Sequence, residues 1–244
     1  MIIFSDFDGT LFFRHDEEKT NRNVEALKRW RAAGNQFCVI TGRGYASVMR
    51  QMPEISDLCD YYILNNGSVV LDGNGNLLTS FPFEPEIVSK LEQYAETLAE
   101  KPVLFYFTPN YEGFEPTRDG TTMVRFWFKD ASLCAGVAKQ ITELFGTPAF
   151  VQANAVSDRK ELVGRTGFVE IISSNSDKSA AIHSLEESGH ISRSDIITVG
   201  DGLNDRLMVV DYDGFAIEGS ELSAMAPELR TTSSIASIVD ETNR

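Results

Sequence analysis

The first residues of the chain form a short apolar run that ends in two acidic residues. Residues 2–4 are Ile-Ile-Phe, and Asp6, Asp8 and Gly9 follow them. A continuous apolar run of this length is typical of a parallel strand that is buried on both faces. Because side chains two residues apart in a strand point the same way, we expect Asp6 and Asp8 to share one face at the carboxyl end of this strand. Ordinary turn chemistry after a strand is the alternative explanation of this motif when it stands alone.

A helical period follows the first strand. Val24, Leu27 and Trp30 recur at helical spacing, and Gly34 is a typical residue at a helix end. Residues 14–23 are polar, so we predict them as an exposed loop before this helix.

Short apolar runs then alternate with a further helical segment. Residues 37–40 and 61–64 are predicted strands, and residues 45–52 between them are a predicted helix that Pro53 ends. The sequence Asp-Gly-Asn-Gly-Asn at 72–76 lies between two more apolar runs and predicts a hairpin. Strands that alternate with helices predict a parallel sheet with helices on both faces.

The segment 82–174 has a different order of elements. A helix followed by two strands occurs twice, which predicts an α+β module with an antiparallel sheet. We therefore predict an inserted α+β domain over 82–174, while 1–81 and 175–244 together form the core domain. The predicted elements of the insert are helices over 86–98 and 132–145 and strands over 103–108, 123–128, 149–152 and 168–173.

The α/β alternation resumes after the insert. Ser176 or Asp177 is predicted as the N-cap of a helix that carries Lys178 in its first turn. The apolar run 196–199 predicts a strand that leads into Gly-Asp-Gly-Leu-Asn-Asp at 200–205. The predicted fold class is α/β, with a doubly wound, Rossmann-like parallel sheet interrupted by the insert.

Composition and charge narrow the range of functions. A chain of 244 residues with 42% hydrophobic and 24% charged residues is typical of a globular protein. The net charge of −14, without a basic stripe, argues against a nucleic-acid surface. An anionic small molecule stays possible as a ligand, because a metal ion and one or two cations can invert the local field.

Cysteine usage and hydropathy suggest a compartment. The cysteines Cys38, Cys59 and Cys134 have no paired or metal-finger spacing, which fits reduced thiols inside a cell. The predicted strand at residue 2 leaves no room for a leader, and no apolar run has the length of a membrane-spanning helix. Cytoplasmic localisation is the expectation.

Several polar side chains are predicted at the carboxyl ends of strands or at a helix start, so they can reach the same edge of the sheet. They are Asp6, Asp8, Thr41, Lys178, Asp201 and Asp205.

This set fits phosphoryl transfer through a covalent aspartyl phosphate. Carboxylates alone would repel a phosphate dianion, and a magnesium ion held by Asp6 and Asp201 would cancel that repulsion. Lys178 and Thr41 would contribute a positive charge and a hydroxyl to the equatorial oxygens of the transferring group.

The chain resembles the haloacid dehalogenase (HAD)-type phosphatases on four motifs. These are Asp-Phe-Asp-Gly-Thr at 6–10, Thr-Gly-Arg at 41–43, Lys178, and Gly-Asp-Gly-Leu-Asn-Asp at 200–205. The first and last motifs are specific, whereas the threonine and the lysine count by their order and position. An α+β cap between the second and third motifs resembles the Cof-type, class IIB-capped branch.

The resemblance implies roles for the acidic residues. By that resemblance Asp6 is the nucleophile and Asp8 is the general acid/base. Asp6, the Asp8 backbone carbonyl and Asp201 would bind Mg²⁺, with Asp205 supporting them.

The resemblance also implies which residues hold the phosphate, namely Thr41, Gly42, Lys178 and Asn204. Arg43 has two open roles, because it could steady the phosphate or only pair with an acidic neighbour. Asn65 and Asn66 could line the site, and turn chemistry explains them almost as well.

Asp8 helps to choose among reactions within the resemblance. An acid at this position can protonate a leaving alkoxide and then activate water, which favours a phosphatase or a mutase, and the later position of the cap disfavours the mutase. The substrate expected is a small phosphorylated metabolite such as a sugar phosphate, selected by the insert and particularly by its loop 109–122. The alternatives are a phospho-accepting signalling module and a catalytically silent sugar-phosphate sensor. The sequence does not indicate an oligomeric state.

Overall fold

The computed structural model of the protein describes residues 1–117, 119–155, 157 and 159–242. The chain divides into two compact units, Met1–Thr79 with Asp177–Arg244 and Ser80–Ser176. We call them the core unit and the inserted unit.

The secondary structure comprises strands and helices in both units. The strands are β1 (Ile2–Asp6), β2 (Gln36–Ile40), β3 (Tyr61–Leu64), β4 (Val69–Asp72), β5 (Leu77–Ser80), β6 (Val103–Thr108), β7 (Tyr111–Gly113), β8 (Met123–Phe128), β9 (Ala149–Ala153), β10 (Gly167–Ile172), β11 (Ile196–Gly200), β12 (Phe215–Ile217) and β13 (Thr231–Thr232). The helices are α1 (Glu17–Ala32), α2 (Tyr45–Gln51), α3 (Pro85–Thr97), α4 (Cys134–Phe145), α5 (Lys178–Glu187), α6 (Arg206–Asp211), α7 (Glu221–Met225) and α8 (Ile235–Thr242).

The core unit is built on an eight-stranded sheet in the order β13-β12-β11-β1-β2-β3-β4-β5. Strand β1 pairs in parallel with β11 on one side and with β2 on the other. Strand β3 continues the parallel arrangement, and β4 then pairs with β3 in the antiparallel direction. The carboxyl ends of β11, β1 and β2 therefore lie side by side, which is where α/β sheets bind ligands.

Both faces of this sheet are covered by apolar side chains. Ile3 belongs to a cluster that includes Trp30 of α1 and Ile235 of α8. Phe4 belongs to a second cluster that includes Ile182 of α5. Because neighbouring residues of β1 point into different clusters, the sheet is wound on both faces, and the predicted α/β fold class is confirmed.

Helix α1 begins earlier than the apolar period predicts, so the predicted loop over 14–23 is wrong over most of its length. Asp16 caps the helix by accepting a hydrogen bond from the Lys19 backbone N–H at 2.8 Å. Asn23 is fully buried despite its polarity, because its amide donates to the carbonyls of Thr10 and Leu11 at 3.0 and 3.2 Å. Asn23, in the second turn of α1, thus binds the loop after β1.

The inserted unit contains a five-stranded sheet in the order β7-β6-β8-β10-β9. Its strand pairs are antiparallel, as the sequence predicts. One face packs against α3 and α4 in a cluster that includes Leu91, Phe126 and Ile141. The segment 109–122, predicted as a loop, contains the edge strand β7, and its residue Arg118 lies outside the described residues.

In the part of the chain that the structure describes, no helix combines the length and the apolar character needed to cross a membrane.

A turn after β3 lies against the start of α5 in the core unit. Asn65, Asn66 and Gly67 all have positive φ values, of 52°, 54° and 99°. A Cβ atom on Gly67 would lie 2.1 Å from the carbonyl oxygen of Asp177, the N-cap of α5. Only a residue without a side chain allows these two backbone segments to approach so closely.

We expect Gly67→Ala to destabilise the protein by roughly 2–4 kcal/mol, because backbone atoms must move to admit the methyl group. Gly34→Ala is the matched control, since Gly34 has a similar φ of +83° and no atom within 4 Å of the added Cβ. The control should lose only about 1–2 kcal/mol from the left-handed backbone conformation. Urea unfolding of both variants measures the difference, and equal losses would contradict the close packing at Gly67.

Candidate active site

The two acidic residues of the first motif have different surroundings. Asp6 is the last residue of β1, and its side chain is buried, with 8% of its surface exposed. Asp8 lies beyond the strand, and its side chain is half exposed. Strand alternation therefore ends before Asp8, and the two carboxylates have separate basic partners.

A buried lysine joins the first and last motifs. Lys178 begins α5 and is 1% exposed. Its Nζ donates to Asp6 Oδ1 and to Asp205 Oδ1, both at 2.5 Å. A buried ammonium requires such partners, because removing it from water without them is costly.

Asp205 uses both of its carboxylate oxygens within the protein. Oδ1 accepts from Lys178, and Oδ2 accepts from the backbone N–H groups of Asp201 and Gly202 at 3.0 and 2.9 Å. Gly200 permits this packing, because a Cβ there would lie 2.4 Å from the Cβ of Asp205. These contacts hold the loop after β11 and the lysine in place.

The loop after β1 is fitted closely to Asp201. Thr10 donates from Oγ1 to Asp201 Oδ1 at 2.8 Å. Gly9 has a φ of +84°, and a Cβ on it would lie 2.4 Å from Asp201 Oδ2. The glycine and the threonine of the first motif thus set the position of the first acid of the last motif.

Three carboxylates at this edge could hold a metal ion. Oxygen atoms of Asp6, Asp201 and Asp205 all lie within 4.8 Å of one another. Burial raises the pKa of Asp6 well above its usual range; the Lys178 ammonium opposes that shift, and the carboxylates of Asp205 and Asp201 add to it. Burial and the charge of Asp205 raise the pKa of Asp201 to about 6.

The charge balance of this cluster favours a divalent cation. Burial alone would lower the pKa of Lys178, but attraction to Asp205 and Asp6 outweighs it and raises the pKa, so the lysine stays protonated. If all three carboxylates are ionised, one ammonium leaves two negative charges uncompensated. Burial, together with this excess negative charge, raises the pKa values of Asp6 and Asp201 when no other cation is near. Oxygen ligands with this charge fit Mg²⁺, and the donors present therefore match the expected cofactor.

The threonine motif is tied to the turn after β3. Thr41 is buried, follows β2, and accepts at Oγ1 from the Arg43 backbone N–H at 3.1 Å. The Asn66 backbone N–H donates to the Thr41 carbonyl at 2.9 Å. The Asn66 side chain accepts from Asn204 Nδ2 at 3.1 Å, so this turn links the second and last motifs.

Arg43 pairs with an acidic neighbour, one of the two roles left open by the sequence. Its Nε and Nη2 donate to the two carboxylate oxygens of Asp8, each at 2.6 Å. Its Nη1 donates to Ser47 Oγ at 3.2 Å.

Sequence reasoning assigned no role to Thr10 and left Asn66 undecided between lining the site and forming a turn. The signal for Thr10 was its place in the first motif, directly after the chain-turning Gly9. The signal for Asn66 was Asn-Asn-Gly after a strand, which indicates left-handed backbone. Neither signal specifies the distant partner. In the folded chain Thr10 bonds to Asp201, and Asn66 bonds to Asn204.

The fold and the site define a class: an α/β protein whose acids and one buried lysine meet at the carboxyl ends of parallel strands. The family model of the haloacid dehalogenase-like hydrolases matches residues 3–118 and 108–216. The chain therefore belongs to the haloacid dehalogenase-like hydrolases, and the predicted family is confirmed.

Individual relatives agree with this assignment. The HMP-PP phosphatase of Cronobacter sakazakii is 25% identical over 245 residues, which cover 92% of this chain and 86% of that protein. A solved HAD subclass IIB sugar phosphatase superposes with a TM-score of 0.76 at 17% identity, over 99% of this chain and 98% of that one. A haloacid dehalogenase-like hydrolase from B. subtilis does so with a TM-score of 0.76 at 17% identity, over 98% of both chains. At these identities the solved structures show the fold alone.

Asp201→Asn tests the charge imbalance. The folded state raises the pKa of Asp201 from 3.8 to about 6. It therefore binds this proton more tightly than the unfolded state does, and stability falls as pH rises through that window. In excess chelator, we expect the variant to match the wild-type Tm near pH 4 and to exceed it by a few degrees near pH 7. Thermal unfolding across pH measures this.

Magnesium provides the second readout of the same experiment. Near pH 7, Mg²⁺ should raise the Tm of the wild type more than that of Asp201→Asn, because a ligand stabilises the state that binds it. The exposed Asp57→Asn is the control and should follow the wild type throughout. If Asp201→Asn is less stable than the wild type in chelator near pH 7, the charge of this carboxylate does not destabilise the folded state.

Proposed function

We propose that the protein is a magnesium-dependent phosphatase that hydrolyses a small phosphorylated metabolite through an aspartyl phosphate on Asp6. The observation that carries this proposal is the buried Asp6 carboxylate, bonded to Lys178 and gathered with Asp201 and Asp205 at the end of β1. Buried acids beside a fixed cation, at the carboxyl edge of a parallel sheet, suit nucleophilic attack on a phosphoryl group.

In the first step a carboxylate oxygen of Asp6 forms a bond to phosphorus while the bond to the leaving oxygen breaks. Asp8, in its protonated form, gives its proton to that leaving oxygen. In the second step the Asp8 carboxylate takes a proton from water as the water oxygen bonds to phosphorus. The bond between Asp6 and phosphorus breaks, which restores the Asp6 carboxylate and releases inorganic phosphate.

Asp6, Asp201 and the backbone carbonyl of Asp8 would hold the magnesium ion, with Asp205 behind them. When bound there, the ion supplies positive charge that offsets the carboxylates and polarises the phosphoryl oxygens. Asp205 supports this set by fixing the backbone of Asp201 and Gly202.

The phosphoryl oxygens would be held by donors on two loops and at one helix start of the core unit. We assign this role to Lys178, Thr41, Gly42 and Asn204. Lys178 is pre-positioned by two carboxylates, so its charge needs little reorganisation as the transition state forms.

The substrate class follows from the chemistry of the site and from the relatives. The core motifs act on one phosphoryl group, and the related proteins are named as phosphatases of HMP-PP and of sugar phosphates. We therefore propose a small phosphorylated metabolite, such as a sugar phosphate, as the substrate.

The first test is turnover of p-nitrophenyl phosphate. We expect Mg²⁺-dependent release of phosphate that excess chelator abolishes and added Mg²⁺ restores. Asp6→Asn should lower the rate by roughly a thousandfold or more, about 4 kcal/mol of barrier, because the nucleophile is lost. Asp57→Asn is the control and should keep the wild-type rate. Full activity in excess chelator would contradict the magnesium requirement, and full activity of Asp6→Asn would contradict the aspartyl phosphate on Asp6.

This assay also separates the alternatives. A phospho-accepting module would label Asp6 once without turnover, and a sugar-phosphate sensor would bind without reacting. Asp8→Asn distinguishes the two chemical steps, since p-nitrophenolate is a good leaving group that needs little protonation. This variant should release p-nitrophenolate but hydrolyse the phosphoenzyme slowly.

We further propose that the inserted unit acts as a cap that selects the substrate. The core donors recognise the transferring phosphoryl group and therefore cannot distinguish one monoester from another. Within the inserted unit, the segment 109–122 is our candidate specificity element. Its described part carries the exposed acids Glu115 and Asp119, which follow the edge strand β7 in the chain.

Neutralising Glu115 and Asp119 together, to Gln and Asn, should change the ranking of a panel of sugar phosphates, nucleotides and cofactor phosphates. Turnover of p-nitrophenyl phosphate should stay within about tenfold, or roughly 1.4 kcal/mol. The matched control is Glu96→Gln with Glu143→Gln on α3 and α4, which removes the same charge from exposed helix positions. If both double variants keep the wild-type ranking, these acids do not select the substrate.

A further inference from the structure

Asp8 has a single side-chain partner among the described residues. Arg43 donates from Nε to Oδ2 and from Nη2 to Oδ1, both at 2.6 Å. Two parallel bonds between a guanidinium and a carboxylate fix the plane of the carboxylate as well as its position. Without them, a half-exposed aspartate beyond the end of a strand is free to rotate.

Arg43 is itself held on several sides. Its Nη1 donates to Ser47 Oγ of α2 at 3.2 Å, and its guanidinium lies 5.4 Å from the ring centroid of Phe7. Its backbone N–H donates to Thr41 Oγ1 at 3.1 Å, and its carbonyl accepts from the Asn65 backbone N–H at 3.1 Å. The side chain is 21% exposed, so most of it is packed. Because Arg43 is anchored in this way, its two bonds can fix the orientation of the Asp8 carboxylate.

We infer that Arg43 is a positioning residue for Asp8 and not a ligand of the substrate phosphate. This inference rests on the proposed function, in which Asp8 protonates the leaving oxygen and activates water. A phosphate could take the Nε and Nη2 pair of donors only by displacing Asp8, the group that the reaction needs beside it. Arg43 therefore acts on the reaction through the orientation of the Asp8 carboxylate.

The inference predicts which step depends on Arg43. A lost phosphate ligand would weaken substrate binding and slow formation of the phosphoenzyme. A lost positioning residue would leave phosphate binding intact and slow the step that requires Asp8 as a base. A lysine cannot replace the arginine fully, because a single ammonium does not reproduce the fork that fixes a carboxylate plane.

The experiment compares wild type, Arg43→Met, Arg43→Lys, Asp8→Asn and the double variant Asp8→Asn/Arg43→Met. Single-turnover reactions with p-nitrophenyl phosphate and Mg²⁺ give one rate for p-nitrophenolate release and another for inorganic phosphate release. Inhibition by inorganic phosphate measures binding of the phosphoryl group. Arg22→Met is the matched control, since Arg22 lies on the surface of α1 in an exposed pair with Glu18.

We expect Arg43→Met to slow phosphate release at least tenfold, while p-nitrophenolate release and phosphate inhibition change less than threefold. Arg43→Lys should recover part of the loss. The double variant should be no slower than Asp8→Asn alone, because Arg43 acts only through Asp8. Ser47→Ala, which removes one anchor of Arg43, should give a smaller loss in the same step and covers the case in which Arg43→Met does not fold.

Two results would overturn the inference while leaving the proposed function standing. One is additive losses in the double variant, and the other is a tenfold weakening of phosphate inhibition in Arg43→Met. A wild type that forms no phosphoenzyme, or an Asp6→Asn variant that does, would overturn the proposed function and this inference together. The Arg22→Met control should match the wild type in both rates.

Discussion

The ion pairs of Lys178 are the interaction on which the rest of the site depends. An ammonium that is almost fully buried is stable only when carboxylates are fixed beside it, and Asp6 and Asp205 are placed there by β1 and by the loop after β11. Strands β1 and β11 are neighbours in the sheet although they lie far apart in the chain. The folding of the whole core unit is therefore required before this charge can be buried.

Close backbone packing brings these groups together. Gly9 and Gly200 leave room for the carboxylates of Asp201 and Asp205, and Gly67 leaves room for the start of α5. A side chain at any of the three would move a charged group or the helix that begins with Lys178. At these positions the absence of a side chain allows the close packing that the site needs, so we expect the motifs to require glycine there.

Most of the strands and the positions of the motif residues were predictable from the sequence, because each depends on local pattern, whereas the short edge strand β7 was not. Residues 61–64 were predicted and observed as a strand, since a fully apolar run needs no distant partner to be recognised. The loop predicted over 14–23 was wrong, because Asn23 is buried by bonding to Thr10 and Leu11, which only the folded chain brings near. The partner of Arg43 was undecided for the same reason: a sequence shows a charge but not the charge that it meets.

Asp6 and Asp8 stand two residues apart and yet differ in burial and in partner, which suits them to different tasks. Asp6 is buried beside Lys178, and this environment suits the proposed nucleophile because little water competes for its oxygens. Asp8 is half exposed and held by Arg43, so solvent can reach the carboxylate that we propose as the acid/base. The chain separates them by ending β1 at Asp6 and turning at Gly9, so the boundary of one strand lies between the proposed nucleophile and the proposed acid/base. Lys178 pairs with Asp6 and Asp205, and a different basic residue, Arg43, pairs with Asp8.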